Sequence, residues 1–180
     1  MSRLVLINGP PGSGKSPIAL SLAQDRPLTL DIDVDAIKHT LGRWAADPSS
    51  GLHARRLSLA LAGEHLRSGF DVVLVHYLAK TPFIEELEHL AGEVGAQFHE
   101  FVLDLDTPSL AARLAARATN PDRPEHQINN RLVGPEDAAL LIQSLQALRE
   151  QRPGAIWVDA TGSLAATVSA LRSRLDQPVS

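Results

Sequence analysis

One string, Gly9-Pro10-Pro11-Gly12-Ser13-Gly14-Lys15-Ser16, constrains the fold more than any other part of the chain. It satisfies the spacing G-x-x-x-x-G-K-S/T at every fixed position. It stands between a continuously apolar run, Leu4 to Ile7, and a stretch that opens a helix at Ile18-Ala19-Leu20-Ser21-Leu22-Ala23. That context gives the string a physical purpose. Gly12 and Gly14 let the backbone curl without Cβ clashes, so successive N–H groups converge on one point. The positive end of the following helix adds to the same field. Such a cradle suits phosphate oxygens, with Lys15 spanning the β- and γ-phosphates and the Ser16 hydroxyl ligating Mg²⁺. ATP with Mg²⁺ is therefore the expected ligand, held by Gly9, Gly12, Ser13, Gly14, Lys15 and Ser16. Pro17 is the irregular position: it has no amide to offer a phosphate, although a first-turn amide has no helical partner to lose.

The remainder of the chain alternates short apolar runs with helical stretches. Strands are expected at Leu4–Ile7, Leu28–Ile32, Asp71–Tyr77, Gln97–Leu105 and Ala155–Asp159. Between them, Leu52, Leu59 and Leu66 recur every seven residues around Ala62. Phe83, Leu87, Leu90 and Val94 form an apolar stripe, Thr107-Pro108 opens a helix, Gly134-Pro135-Glu136-Asp137 restarts one, and Ser163 caps a last one facing inward through Leu164, Val168, Leu171 and Leu175. This alternation is the signature of an α/β fold with a parallel sheet covered on both faces. A single domain over residues 1–180 is expected, with the irregular 119–133 segment as a lid-like element.

Composition narrows the function classes. The absence of cysteine excludes disulfide scaffolds, thiolate nucleophiles, zinc fingers and iron–sulfur centres. A formal net charge of -4 and 4% aromatic residues argue against nucleic acid as a partner. The apolar start of the chain is too short for a signal peptide, and no apolar stretch is long enough to span a bilayer. A cytoplasmic monomer or homodimer without membrane contact is expected.

A second cluster, Asp31, Asp33 and Asp35, closes the second expected strand. Phosphoryl transfer to a hydroxyl needs a carboxylate that orients the acceptor and takes its proton. Asp35 is the first choice and Asp33 the second; Asp31 reads as a solvated turn acid. Lys38 lies one helical turn beyond Asp35 on the same face, His39 reads as a surface residue, and Trp44 is a candidate wall of an acceptor pocket.

These residues resemble the small P-loop kinases of the adenylate, gluconate and shikimate kinase group. The resemblance is greatest to the branch containing chloramphenicol phosphotransferase, tunicamycin-resistance proteins and the kinase domain of polynucleotide kinases. It is carried by Asn8 to Ser16 and by Asp35-Ala36-Ile37-Lys38. It implies the P-loop nucleoside triphosphate hydrolase fold, with strand order 2-3-1-4-5 and a lid between the last two strands. It also implies that Asp35 activates the acceptor and that Lys38 contacts an acceptor-side phosphate. Lid closure would bring arginines onto the transferring phosphoryl group. Arg117 and Arg123 lead, with Arg113 and Arg131 beside them. The loop after the last strand, at Thr161 and Gly162, would approach the adenine. Many P-loop proteins have an acid at the end of the third strand, where His76 and Tyr77 stand here. They are expected to line the acceptor pocket, with plain strand-end packing and catalysis as the alternatives for His76. Mg²⁺ would then rest on Ser16, phosphate oxygens and waters, steadied by Asp33 or Asp35. The function expected is transfer of the γ-phosphoryl group of ATP to a hydroxyl of a nucleoside, sugar, antibiotic or other metabolite. The alternatives are a nucleic-acid or nucleotide end kinase and a non-catalytic ATP-binding regulator.

Overall fold

Apolar runs of four to eight residues, rich in Val, Leu and Ile and buried on both faces, form strands because β-branched side chains pack well on a pleated surface. The computed structural model describes residues 1–119 and 133–177. Among them are five strands: β1 (Arg3–Asn8), β2 (Leu30–Asp33), β3 (Val72–His76), β4 (Gln97–Asp104) and β5 (Ile156–Asp159). All pairings are parallel, in the order β2-β3-β1-β4-β5. The expected topology is the observed one. The helices are α1 (Lys15–Ala23), α2 (Val34–Thr40), α3 (Ser50–Arg67), α4 (Pro82–Val94), α5 (Thr107–Thr119), α6 (Ala138–Gln146), the short α7 (Leu148–Gln151) and α8 (Leu164–Leu175). No helix among the described residues is long and apolar enough to cross a membrane.

The period-two alternation of the strands divides the core into two layers. Leu4 and Leu6 of β1 join Val72 and Leu74 of β3 beneath α3 and α4. Val5 and Ile7 join Val73, Val75, Phe101 and Leu103 beneath α1 and α8. The register brings functional positions to one edge. Asn8 pairs with His76, and Asp33 with Val75, so the carboxyl ends of β1, β2 and β3 finish level with one another.

Three local expectations need correction. Leu52 does not face the core but is 51% exposed. The buried seam of α3 is a four-residue row, Ala54, Ser58, Ala62 and Leu66, whose small side chains meet the sheet closely while Leu59 packs at its flank. Leu164 is the first residue of α8 and stays exposed, whereas Val168 and Leu171 are buried. The restart at Gly134 is a 3₁₀ turn, Pro135–Asp137, and the α-helix begins at Ala138.

Asn8 fastens the two strands that matter most. Its side chain is fully buried; Nδ2 donates to the Leu78 carbonyl at 2.8 Å and Oδ1 accepts from the Leu78 amide at 2.9 Å. The amide thus extends the sheet ladder one step past its end. Asn8→Ala would strand both Leu78 groups in the interior and should lower stability by about 2–4 kcal/mol, a fall of roughly 5–15 °C in thermal midpoint. An unchanged midpoint in a thermal melt would contradict this account of the strand ends.

Candidate active site

Beyond Asn8 the chain must leave the sheet and turn back into α1 within a few residues. A Cβ at Gly9 would lie 2.8 Å from Ser13 Oγ and 3.1 Å from Leu103 Cβ, so only glycine fits there. Gly12 and Gly14 adopt φ of +81° and +93°, the left-handed region where side chains are strained. The Ser13 amide closes the turn on the Pro10 carbonyl at 3.1 Å. Ser13 Oγ is buried and has no partner among the described residues. Pro17 is exposed in the first turn of α1, and the first helical bond, from the Ile18 amide to Gly14, lies beyond it.

Lys15 reaches back over this turn, its Nζ donating to the Pro10 carbonyl at 2.9 Å. Burial lowers its pKa from the ordinary 10.5 to about 8; Asp35 and then Asp33 pull it up, and Arg117 pushes it down. A buried ammonium satisfied by one carbonyl, an unpartnered Ser13 hydroxyl and a turn without room for a Cβ fit a group rich in anionic oxygens.

The Ser16 hydroxyl donates to Asp33 Oδ2 at 3.0 Å. The other Asp33 oxygen accepts from the amides of Asp35 and Ala36, at 3.0 and 3.3 Å, and so caps α2. One carboxylate therefore serves as helix cap and as neighbour of Ser16. The acid absent from the end of β3 has its spatial counterpart at the end of β2. An oxygen pair of hydroxyl and carboxylate is a donor set that suits magnesium.

Asp35 lies in the first turn of α2 with its side chain 51% exposed. His76 Nδ1 stands 3.8 Å from Asp35 Oδ1. Burial pulls the His76 pKa down to about 4 against the opposing pull of Asp35, so the imidazole is neutral near pH 7. Arg55 of α3 donates from Nε to His76 Nε2 at 3.3 Å. Sequence reasoning missed Arg55. It adjoins Arg56 in a helix rich in small residues, and only the packing of α3 beneath β3 distinguishes the two.

Lys38, His39 and Trp44 form one group, with Lys38 Nζ 5.0 Å from the Trp44 ring centroid and the His39 ring centroid 4.4 Å from it. His39 is thus half-buried against indole, not on the open helix surface. Lys38, three residues beyond Asp35 on α2, comes together with Trp44, its ammonium over the indole. Tyr77 does not join His76. It lies one residue past the end of β3 and packs with the same α3–α4 core layer that borders His76, on the side toward Ser144 of α6.

Arg113 and Arg117 also part company. Arg113 is not aimed at the cradle's opening: it donates to the Ser13 carbonyl at 3.1 Å, to Ala160 at 2.5 Å and to Gly162 at 3.2 Å. It thereby fastens the loop after β5, with Thr161 and Gly162, to the turn after β1. The Thr161 hydroxyl is engaged by Asp159 Oδ1 at 2.7 Å. Arg117, half-buried, lies near enough to Lys15 to depress its pKa, and burial lowers that of Arg117 itself. Arg123, Arg131 and all but the two end residues of the lid-like 119–133 stretch lie outside the described residues.

Comparison with known proteins agrees with this geometry. A family model described as an AAA domain matches residues 4–132. The chain belongs to this AAA-domain family, and its fold is that of the small P-loop kinases. Among solved structures, it is similar to a gluconokinase from Sinorhizobium meliloti 1021, with 23% identity, 96% of this chain and 93% of that one covered, and a TM-score of 0.64. It is also similar to the tunicamycin resistance protein of Deinococcus radiodurans, with 17% identity, 99% and 98% coverage and a TM-score of 0.65. A sugar kinase from Janibacter sp. HTCC2649 shares 14% identity over 98% of this chain and 95% of that one, with a TM-score of 0.66. These likenesses are likenesses of fold. No curated protein sequence matches the chain.

The buried Lys15 charge opposes folding of the ligand-free protein. The unfolded chain keeps this proton up to pH 10.5, whereas the folded chain releases it near pH 8. Stability therefore rises with pH across that window, and below it the full penalty, about 3 kcal/mol, is present. Lys15→Met should raise the ligand-free unfolding free energy at pH 7 by about 1–3 kcal/mol. The gain should fade as pH approaches 10.5. Urea denaturation at two pH values measures it, and equal or lower stability of the variant at pH 7 would contradict the assignment.

Proposed function

We propose that the protein is an ATP-dependent phosphotransferase that carries the γ-phosphoryl group to a hydroxyl of a small molecule. The observation that carries this reading is the meeting of two strand ends. The Ser16–Asp33 hydrogen bond joins the anion cradle to the carboxylate segment, and Asp35 follows on the same segment. Kinases with the same fold among the solved structures support it.

In this reading Gly9, Gly12, Ser13, Gly14 and Lys15 hold the triphosphate, and Thr161 and Gly162 form the loop that approaches the base. Ser16 and Asp33 would hold Mg²⁺, which when bound neutralises charge on the phosphate oxygens. Asp35 accepts the hydroxyl proton as the acceptor oxygen bonds to the γ-phosphorus. The bond to the ADP oxygen breaks, and its electrons leave with ADP. Lys15 and Arg117, with Arg123 from the segment beyond α5, face the charge that develops on the transferring group. Lys38, Trp44 and His76 border the acceptor, and Tyr77 supports them from the core. Sugars, sugar acids, nucleosides and hydroxylated antibiotics are the acceptor classes to screen.

Asp35→Asn preserves shape and removes the proton acceptor. Calorimetric ATP affinity should stay within about twofold, since the cradle is untouched, while acceptor-dependent ADP release should fall roughly 10²–10⁴-fold. Ser16→Ala should instead raise the Mg²⁺ concentration needed for activity. Full turnover in Asp35→Asn would remove Asp35 from the reaction.

A further inference from the structure

The proposed reaction gives Arg55 and Phe83 no part and leaves His76 only bordering the acceptor, yet the three pack together. A guanidinium only donates hydrogen bonds. The contact from Arg55 Nε to His76 Nε2, 3.3 Å, therefore makes Nε2 an acceptor. A neutral imidazole carries one proton, so it must sit on Nδ1. The ring is held in place as well. Phe83 meets it edge-on, with centroids 6.1 Å apart and planes at 87°, and the Arg55 guanidinium lies 5.5 Å from the same phenyl centroid.

The proton-bearing nitrogen then has nothing to donate to. His76 Nδ1 is buried without a hydrogen-bond partner among the described residues. Its nearest recorded acceptor, Asp35 Oδ1, is 3.8 Å away, beyond hydrogen-bonding distance. A buried donor without an acceptor is unfavourable in a finished site, and here it faces a carboxylate across a gap of definite width. One oxygen atom set to the side of the line joining them can lie about 2.8 Å from each, subtending an angle of roughly 85°. Such an oxygen must accept from Nδ1 and donate to Asp35. A neutral hydroxyl does both, whereas an ammonium has no lone pair with which to accept.

We infer that Arg55 fixes His76 as the Nδ1–H tautomer, so that His76 and Asp35 together seat one hydroxyl group of the acceptor between a donor and an acceptor. Resting on the phosphotransferase reading, this names the ligand class at the transfer position as an alcohol. It gives His76 direct contact with the reacting oxygen, and makes Arg55 a positioning residue that acts through His76. The oxygen's lone pair is oriented by Nδ1–H while its proton points at Asp35.

The tautomer is measurable without any acceptor. In full-length protein labelled with ¹⁵N-histidine, long-range ¹H–¹⁵N spectra at pH 7 should show His76 with a pyrrole-type Nδ1 and a pyridine-type Nε2, assigned by its loss in His76→Gln. A charge-assisted hydrogen bond biases the tautomers more than about tenfold, so Arg55→Met should let the two nitrogens approach averaged values while the thermal midpoint confirms a folded protein. Titration with ethylene glycol, used as a minimal hydroxyl probe, should shift the Nδ1 signal saturably in the wild type and not in Arg55→Met. A pyridine-type Nδ1 in the wild type overturns the inference, whether or not the variant folds. So does an Nδ1 signal that ignores molar glycol. Neither reading involves phosphoryl transfer, so each stands apart from the Asp35→Asn turnover result.

Discussion

The Ser16–Asp33 hydrogen bond is the contact on which the candidate site depends, because it joins two segments that the sheet merely brings level. Parallel strands all end on the same side, and β3 separates β1 from β2. The turn after β1 and the start of α2 must reach toward each other across that strand. Asp33 makes this possible by dividing its oxygens, with one on the amides that begin α2 and one on Ser16. The cap thereby sets the direction in which α2 leaves the sheet, and with it the position of Asp35. From below, Asn8 ties Leu78 to the end of β1 and so fixes the height of His76.

Charge is arranged around the same contact with opposite consequences for stability and function. Burial disfavours the Lys15 charge, which Asp35 and Asp33 favour and Arg117 opposes, and the conflict leaves the lysine holding its proton less tightly. An incoming polyanion would compensate that charge far better than the Pro10 carbonyl does. His76, buried a few residues away in space, resolves a similar conflict by staying neutral. His76 thus stands beside Asp35 as an uncharged group and adds no further cation to those of Lys15, Arg55 and Arg117. Further out, Arg113 spends its hydrogen bonds on backbone carbonyls and holds two loops together.

Much of this was legible in the residues. The glycine string between a strand and a helix specifies its turn through backbone sterics alone, and Gly12 and Gly14 adopt the positive φ that the spacing requires. Strand order follows the kinase-like resemblance, and Ser163 caps α8 as its residue type suggests. Asp33, Asp35 and His76 gather near one another because β2 and β3 end level, and Lys38 meets Trp44 further along the chain. What could not be read depends on packing direction. Arg113 and Arg117 share a helix face, yet one turns to carbonyls and the other toward Lys15. Tyr77 and His76 are adjacent, yet His76 meets Arg55 and Phe83 while Tyr77, just past the end of β3, packs elsewhere on the same core layer. Leu52 fits a seven-residue repeat, but α3 meets the sheet along a row of small residues spaced by four, and no periodicity of leucine reveals that row. Arg55 carries no local signal at all; its partner is 21 positions away and enters through β3.

In the proposed reaction the γ-phosphorus of ATP passes to an alcohol oxygen. Phosphorus-31 NMR follows that atom directly when the protein is incubated with ATP, Mg²⁺ and a pool of hydroxyl compounds. The account predicts a phosphomonoester resonance that grows in step with ADP and is absent when the pool is omitted. ATP that yields only inorganic phosphate, or that persists unchanged beside every class of acceptor, would contradict it.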